Sequence, residues 1–257
     1  MKIFIALILL LFFKTNVYGQ GPPITVETPV MLGLEGNGIR TFGKFISKEN
    51  VNVYVQSIAF PYNLTTKFQV GVIFPFKFIT SKNSNTIGGF ADMTVFAKYQ
   101  LYKKDGKAKT FRILGFVKQT FSTGKTSSTP PIGSGISQTY VGIVMGKLSI
   151  KKGLYANFGY NITNNNSSDN FLYNFSAGAP LLSHKYPQRQ LNTYLEFNGN
   201  YEFDSKVHSV FISPGLQFIP GSRILFETSF QIPIVQNNIT TNKTNYMVSL
   251  GTRFLLN

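Results

Sequence analysis

Cysteine is absent from the 257 residues, which excludes a lipid anchor on a thiol, a disulfide framework and thiol chemistry. An exported chain of this size without disulfides suits a bacterial envelope better than a small secreted domain. Beyond residue 20 there is no apolar run approaching the ~18 residues that cross a bilayer as a helix. Helical periodicity is also scarce there, so any membrane insertion has to use strands. Histidine occurs only as His184 and His208, without Cys or carboxylates at ligand spacing, which argues against a metal site. Acidic residues number ten against 25 Lys and Arg, a formal charge of +15. No basic stripe interleaves with base-stacking aromatics, so nucleic acid is not an expected partner. The lysines cluster at strand ends instead, as at Lys103, Lys104, Lys107, Lys109, Lys151 and Lys152. There they suit anionic lipid and lipopolysaccharide headgroups.

What is present begins with Met1-Lys2, an apolar stretch from Ile3 to Phe13 and small residues near Gly19. This reads as a secretory signal peptide over 1–19. Residues 20–36 form a separate N-terminal segment, either a plug or a periplasmic lead, and 37–257 carry strand-like alternation bounded by Gly, Asn, Ser and Pro. The strands fall near 37–48, 50–60, 66–79, 89–103, 107–122, 136–150, 153–163, 169–180, 189–203, 207–218, 222–235 and 244–256.

The stretch FQVGVIFPFKF shows the pattern. Phe68, Val70, Val72, Phe74, Phe76 and Phe78 share one parity, and Gln69, Gly71, Ile73, Pro75 and Lys77 the other. Alternate residues of a strand face opposite sides, so the first row has to meet a core or lipid. Similar two-sided segments set Leu195 and Phe197 against Tyr194 and Glu196, Phe226 and Phe230 against Glu227 and Gln231, and Val248 and Leu250 against Ser249 and Gly251. An all-β, antiparallel transmembrane barrel of about 12 strands accounts for this many two-sided strands, and bacterial single-chain barrels have an even number.

Two segments resist the pattern. In 107–122, Arg112 and Lys118 share parity with Leu114 and Phe116. A charge facing lipid near the bilayer middle costs about 2–4 kcal/mol, so this face is turned inward. In 136–150 neither parity is distinctly apolar. Pro75, Pro214 and Pro233 lie inside strands, where each removes a ladder donor, and they read as bulges or sites near strand ends. With both termini periplasmic, the connections 80–88, 123–135, 164–168 and 236–243 are extracellular. The Pro/Ser/Thr-rich 123–135 reads as a mobile lid. Aromatics such as Phe76, Phe78, Tyr160 and Phe203 fall at outer strand ends, and Tyr99, Tyr102, Phe218 and Phe254 at periplasmic ends, as two interfacial girdles.

The stretches GGFADMTVFAKYQL (88–101), VKQTFSTGK (117–125) and ISPGLQFIPGSRILFETSFQIPIV (212–235) together resemble an outer-membrane barrel family labelled as a component of the phenol-degradation meta-pathway. The landmarks fall on Asp92, Lys98, Tyr99, Thr123, Gly124, Ser213, Pro214, Gly215, Leu216, Gln217, Glu227 and Pro233, and the resemblance covers 88–255. It implies a barrel and uptake of small hydrophobic or aromatic compounds. Many outer-membrane barrels end on an aromatic residue read by the insertion machinery, an expected partner; this chain ends Phe254-Leu255-Leu256-Asn257.

The inward faces collect Asp92, Lys98, Arg112, Lys118, Glu196, Glu227 and Arg253. Such a set either selects solutes, as rings of charge do in pores, or forms a salt-bridge network that stiffens the interior. The expected function is passive passage of small solutes by a monomeric channel with no cofactor. The alternative is a closed structural or surface-binding barrel. A membrane-embedded hydrolase would need Ser, His and an orienting group at the rim, for which His208 with Ser205 or Ser209 is the one candidate, without a Gly-x-Ser-x-Gly elbow.

Overall fold

The computed structural model describes residues 21–82, 85–164, 168–182 and 189–256, so the expected signal peptide lies outside them. The strands are β1 Gly38–Lys48, β2 Val51–Asn63, β3 Phe68–Ser81, β4 Ile87–Phe90, β5 Thr94–Gly106, β6 Lys109–Thr120, β7 Gln138–Ser149, β8 Gly153–Thr163, β9 Asn170–Pro180, β10 Gln190–Glu202, β11 His208–Ile219, β12 Ile224–Asn237 and β13 Thr244–Leu255. All ladders are antiparallel. β1 pairs with β13 from Gly38↔Leu255 to Lys48↔Thr244, which closes the sheet on itself. The upper half of β3 pairs with β4 and its lower half with β5, so these two short strands share one position in the wall. The result is a closed barrel of twelve strand positions. Closure is what hydrocarbon demands of a sheet, because an open edge would leave backbone N–H and C=O groups unpaired where no water can reach them.

The oily row of β3 faces outward. Phe76 and Phe78 are exposed, whereas Gln69 and Ile79 on the other parity are buried. The same division holds for β10, β12 and β13: Phe197, Phe226, Phe230 and Leu250 are exposed, and Tyr194, Glu196, Glu227 and Gln231 are buried. A wall with apolar side chains outside and polar ones inside is that of an outer-membrane β-barrel. The girdle residues Tyr99, Tyr102, Phe218 and Phe254 are exposed at the periplasmic ends, and Tyr160 and Phe203 pack at the other rim, their rings tilted by 38° with centroids 5.5 Å apart.

The resistant segments resolve once the interior is seen. On β6, Leu114 and Phe116 are buried and face inward with Arg112 and Lys118. On β7, Tyr140 and Val144 are buried inward, while Val141 and Ile143 are exposed. Met31 joins Leu114, Phe116, Tyr140 and Val144 in one apolar cluster inside the barrel. An inward apolar face therefore coexists with an outward one, and the alternation across β7 is blurred. Tyr140 lies flat over the β7–β8 wall, where Gly159 gives it room: a Cβ there would stand 2.2 Å from the ring.

Each proline sits where a ladder is interrupted. Pro75 lies where β3 changes partner from β5 to β4. Pro214 falls in the gap between the Ile212↔Ile232 and Gly215↔Ser229 pairs, and Pro233 adjoins the bulge that leaves Ile234 unpaired. A residue without an N–H costs nothing at a position where the partner strand offers no acceptor.

This placement of faces predicts a sharp asymmetry between neighbouring positions. Ile143→Lys puts a charge into lipid at the middle of β7 and should lower unfolding stability by about 2–4 kcal/mol. Asn174→Lys, facing the lumen from β9, should be tolerated. Reversible denaturant titration in detergent or bilayer, with the gel-mobility shift of the folded barrel, measures both.

Candidate functional site

The lumen is not empty. Residues 21–36 run inside it from the periplasmic end, rise to mid-barrel and return, with Pro23, Ile24, Val26 and Pro29 buried. Pro and β-branched residues suit this extended, helix-free path, since Pro interrupts a helix and β-branched side chains favour extended backbone. The backbone polar groups that such a path exposes have to be satisfied by side chains of the wall. At its start, the hydroxyls of Tyr155 and Tyr194 donate to the Gly21 carbonyl at 3.2 and 2.6 Å, and the Gln217 amide donates to the Pro22 carbonyl at 2.7 Å. At the other end, the Asn63 amide donates to the Leu32 carbonyl, and the Gly36 carbonyl accepts from the Asn63 N–H at 2.9 Å.

Glu196 receives the middle of the segment. Its carboxylate accepts from the Ile24 N–H at 3.0 Å, the Thr25 N–H at 2.8 Å and the Thr25 hydroxyl at 2.5 Å. No salt bridge forms at Glu196 among the described residues, and the segment's amides and the Thr25 hydroxyl are the donors that solvate this buried carboxyl group.

Glu227 works differently. Its two oxygens hold Arg40 at 2.7 Å and Arg253 at 2.8 Å. These three residues stand on β1, β12 and β13, across the seam where the chain's first and last strands meet. The same guanidinium groups donate to the segment: Arg40 to the Ile24 carbonyl and Arg253 to the Pro23 carbonyl, both at 2.7 Å.

Lys98 forms an ion pair with Glu27 of the segment at 2.8 Å. Its ammonium stands 4.7 Å from the Phe116 ring centroid, and Lys118 stands 5.1 Å from the same ring and 4.7 Å from Tyr140. Arg112 lies on the same inward row nearer the periplasmic end and donates to the Thr110 hydroxyl at 3.2 Å. Asp92 sits apart, in the break between β4 and β5. Its oxygens accept from the backbone N–H groups of Gly124 and Ser134 at 2.8 and 2.6 Å. Lys77 donates to the Ile132 carbonyl at 3.0 Å, and Ile132 is buried. The 121–137 connection, which contains the 123–135 stretch expected as a mobile lid, is thus tied to the wall of the extracellular mouth.

The structure therefore brings Lys98, Glu196, Glu227 and Arg253 together around the segment, with Lys118 on the adjoining aromatic platform, while Arg112 and Asp92 stand elsewhere. Sequence reasoning missed Arg40 and Glu27. Arg40 lies in a strand without a distinct apolar row. Glu27 carried a signal, as the first acidic residue of the chain in an apolar stretch bracketed by prolines. The hydrolase constellation is not assembled: His208 bonds the Tyr173 hydroxyl at 2.7 Å and packs on Tyr201, whereas Ser209 is buried and Ser205 donates to Glu202.

Beside the segment, a cavity of about 400 Å³ remains. It is bounded by Val26 and Met31 of the segment, by Phe42, Ala59, Ile73 and Phe96 of the wall, and by Arg40 and Lys98, and it reaches Ser222 and Leu255 at the periplasmic rim.

No family model and no curated protein matches this chain. Among solved structures, the COG4313 outer membrane channel from Pseudomonas putida F1 superimposes with a TM-score of 0.67, over 92% of this chain and 100% of that one, at 10% identity. The KdgM porin, solved in complex with disordered oligogalacturonate, superimposes with a TM-score of 0.50, over 84% of this chain and 98% of that one, at 6% identity. At these identities the likeness is one of fold. This chain has the barrel of outer-membrane channels and porins.

If Glu196 anchors the segment, Glu196→Ala should leave the Ile24 and Thr25 amides without acceptors. Hydrogen exchange of those two amides should then lose its protection, while exchange in the strand ladders stays slow. Unchanged protection would show that the remaining contacts suffice.

Proposed function

We propose that the protein is a passive outer-membrane channel for small solutes with an apolar body, and that residues 21–36 act as a plug that narrows its periplasmic half. The cavity beside the segment carries this reading. It offers a small solute an apolar wall of Phe42, Ala59, Ile73 and Phe96, edged by cations, with one end at the periplasmic rim. A pocket of that make-up accepts an aromatic or aliphatic ring better than a bulky hydrated one. The resemblance of 88–255 to the phenol-degradation barrels supports the same solute class. In this reading the chain works as a monomer without a cofactor and catalyses no reaction.

One observation favours the competing reading, a closed structural barrel. The segment is bonded at Gly21, Pro22, Pro23, Ile24, Thr25, Glu27, Leu32 and Gly36, which is dense enough to serve as a permanent seal.

Planar-bilayer recording separates the two. The wild-type barrel should conduct, and Ala59→Trp, which fills the cavity from the β2 wall, should lower the single-channel conductance while leaving the barrel assembled. A wild type that is silent, and that stays silent after Glu196→Ala loosens the segment, establishes the closed barrel instead.

A further inference from the structure

We infer that the extracellular half of the lumen is an anion site, and that the solute of the proposed channel is a small carboxylate with an apolar body. This rests on the channel reading for its route, but not for the site itself, which follows from how the lumenal charges are spent.

All ten acidic residues lie among the described residues. Those that reach the interior are Glu27, Asp92, Glu196 and Glu227, and each is engaged: by Lys98, by two loop amides, by the amides of the segment and by two arginines. Glu202, at the rim, accepts from Ser205. Lysines that share the inward rows remain over. Lys44 follows Arg40 and Phe42 on β1, in register with Val55 and Ser249. Lys118 follows Phe116 on β6, has aromatic faces as its neighbours and lies within electrostatic reach of Glu27, whose direct ion pair is with Lys98, so that two ammonium groups share one carboxylate. Neither forms a salt bridge among the described residues. An aromatic quadrupole attracts an ammonium group but leaves its charge uncancelled.

The carboxylates of the wall formed by β8, β9 and β10 are already engaged, Glu196 by the segment, Asp169 at the rim by Thr163 and Tyr160, and Glu202 by Ser205. There Asn161 donates to Asn170 at 2.9 Å and Asn170 to Asn200 at 2.5 Å, a chain of neutral carboxamides. An ion that passes the engaged carboxylates of the rim therefore meets Lys44 on β1 and Lys118 on β6, with the amide chain of β8, β9 and β10 facing them. In a narrow, low-dielectric lumen such a field concentrates anions and repels cations. Below this level the cavity turns apolar at Phe96 and Ile73. A carboxylate head held by the free lysines with its apolar body directed toward that cavity matches both halves.

Benzoate is the probe, with benzyl alcohol as its neutral counterpart. The full-length barrel in detergent should bind benzoate in equilibrium dialysis and not benzyl alcohol. Lys44→Gln with Lys118→Gln should abolish the binding, and Lys44→Arg with Lys118→Arg should keep it, with the gel-mobility shift showing that both variants fold. In a bilayer under a KCl gradient, the reversal potential of wild type should have the sign of chloride preference and move toward zero in the Gln variant. Benzoate binding without current keeps the anion site and removes the channel. Current without charge preference, or benzoate binding that is absent or survives the Gln variant, overturns the anion site and leaves the channel standing.

Discussion

A single carboxylate, that of Glu227, sits at the point on which both the wall and its contents depend. A buried carboxylate is costly unless paired, and removing one partner of such a pair costs about 3–5 kcal/mol. Glu227 is paired twice, by Arg40 and Arg253, and the three residues stand on adjacent strands across the closing seam. The arginines have donors left after binding the carboxylate, and they use them on the Ile24 and Pro23 carbonyls. Closing the barrel and seating the N-terminal segment are therefore one electrostatic arrangement. A guanidinium with its planar fork can serve both partners at once, which a lysine at either position would do poorly.

The segment changes what the barrel interior has to be. A lumen filled with water asks for polar side chains on every inward row. Here Met31 presents an apolar surface to β6 and β7, and Leu114, Phe116, Tyr140 and Val144 answer it. On the adjoining wall, Ile24 and Val26 cluster with Tyr155 and Tyr194, whose hydroxyls still reach the Gly21 carbonyl. The periplasmic half of the lumen thus behaves like a small soluble core enclosed by the sheet, with Glu27 and Glu227 paired to cations and Glu196 held by the segment's own donors. The extracellular half keeps the amide chain and the unpaired lysines.

Most of the wall was legible because a bilayer imposes a simple rule on each strand. The row from Phe68 to Phe78, the pairing of Phe226 and Phe230 against Glu227 and Gln231, and the inward turn of Arg112 and Lys118 all follow from the cost of placing charge in hydrocarbon. The break at Ala91-Asp92-Met93 was not legible. It interrupts one strand position without any loss of apolar alternation on either side, and the carboxylate there serves a loop far away in sequence. β7 stayed ambiguous for a different reason, since both its faces meet apolar surroundings and period-2 contrast vanishes.

By itself, then, the sequence determined the cysteine-free, strand-built character of the chain and which face of most strands meets lipid. Those properties reside in local alternation and composition, where each residue is judged against one solvent. Only the tertiary structure decided which charges neutralise which, because Arg40, Glu227 and Arg253 are distant in the chain and become neighbours through closure alone. It likewise decided that residues 21–36 occupy the lumen, a fact written in no period of that segment but in the carbonyls and amides that the wall is positioned to receive.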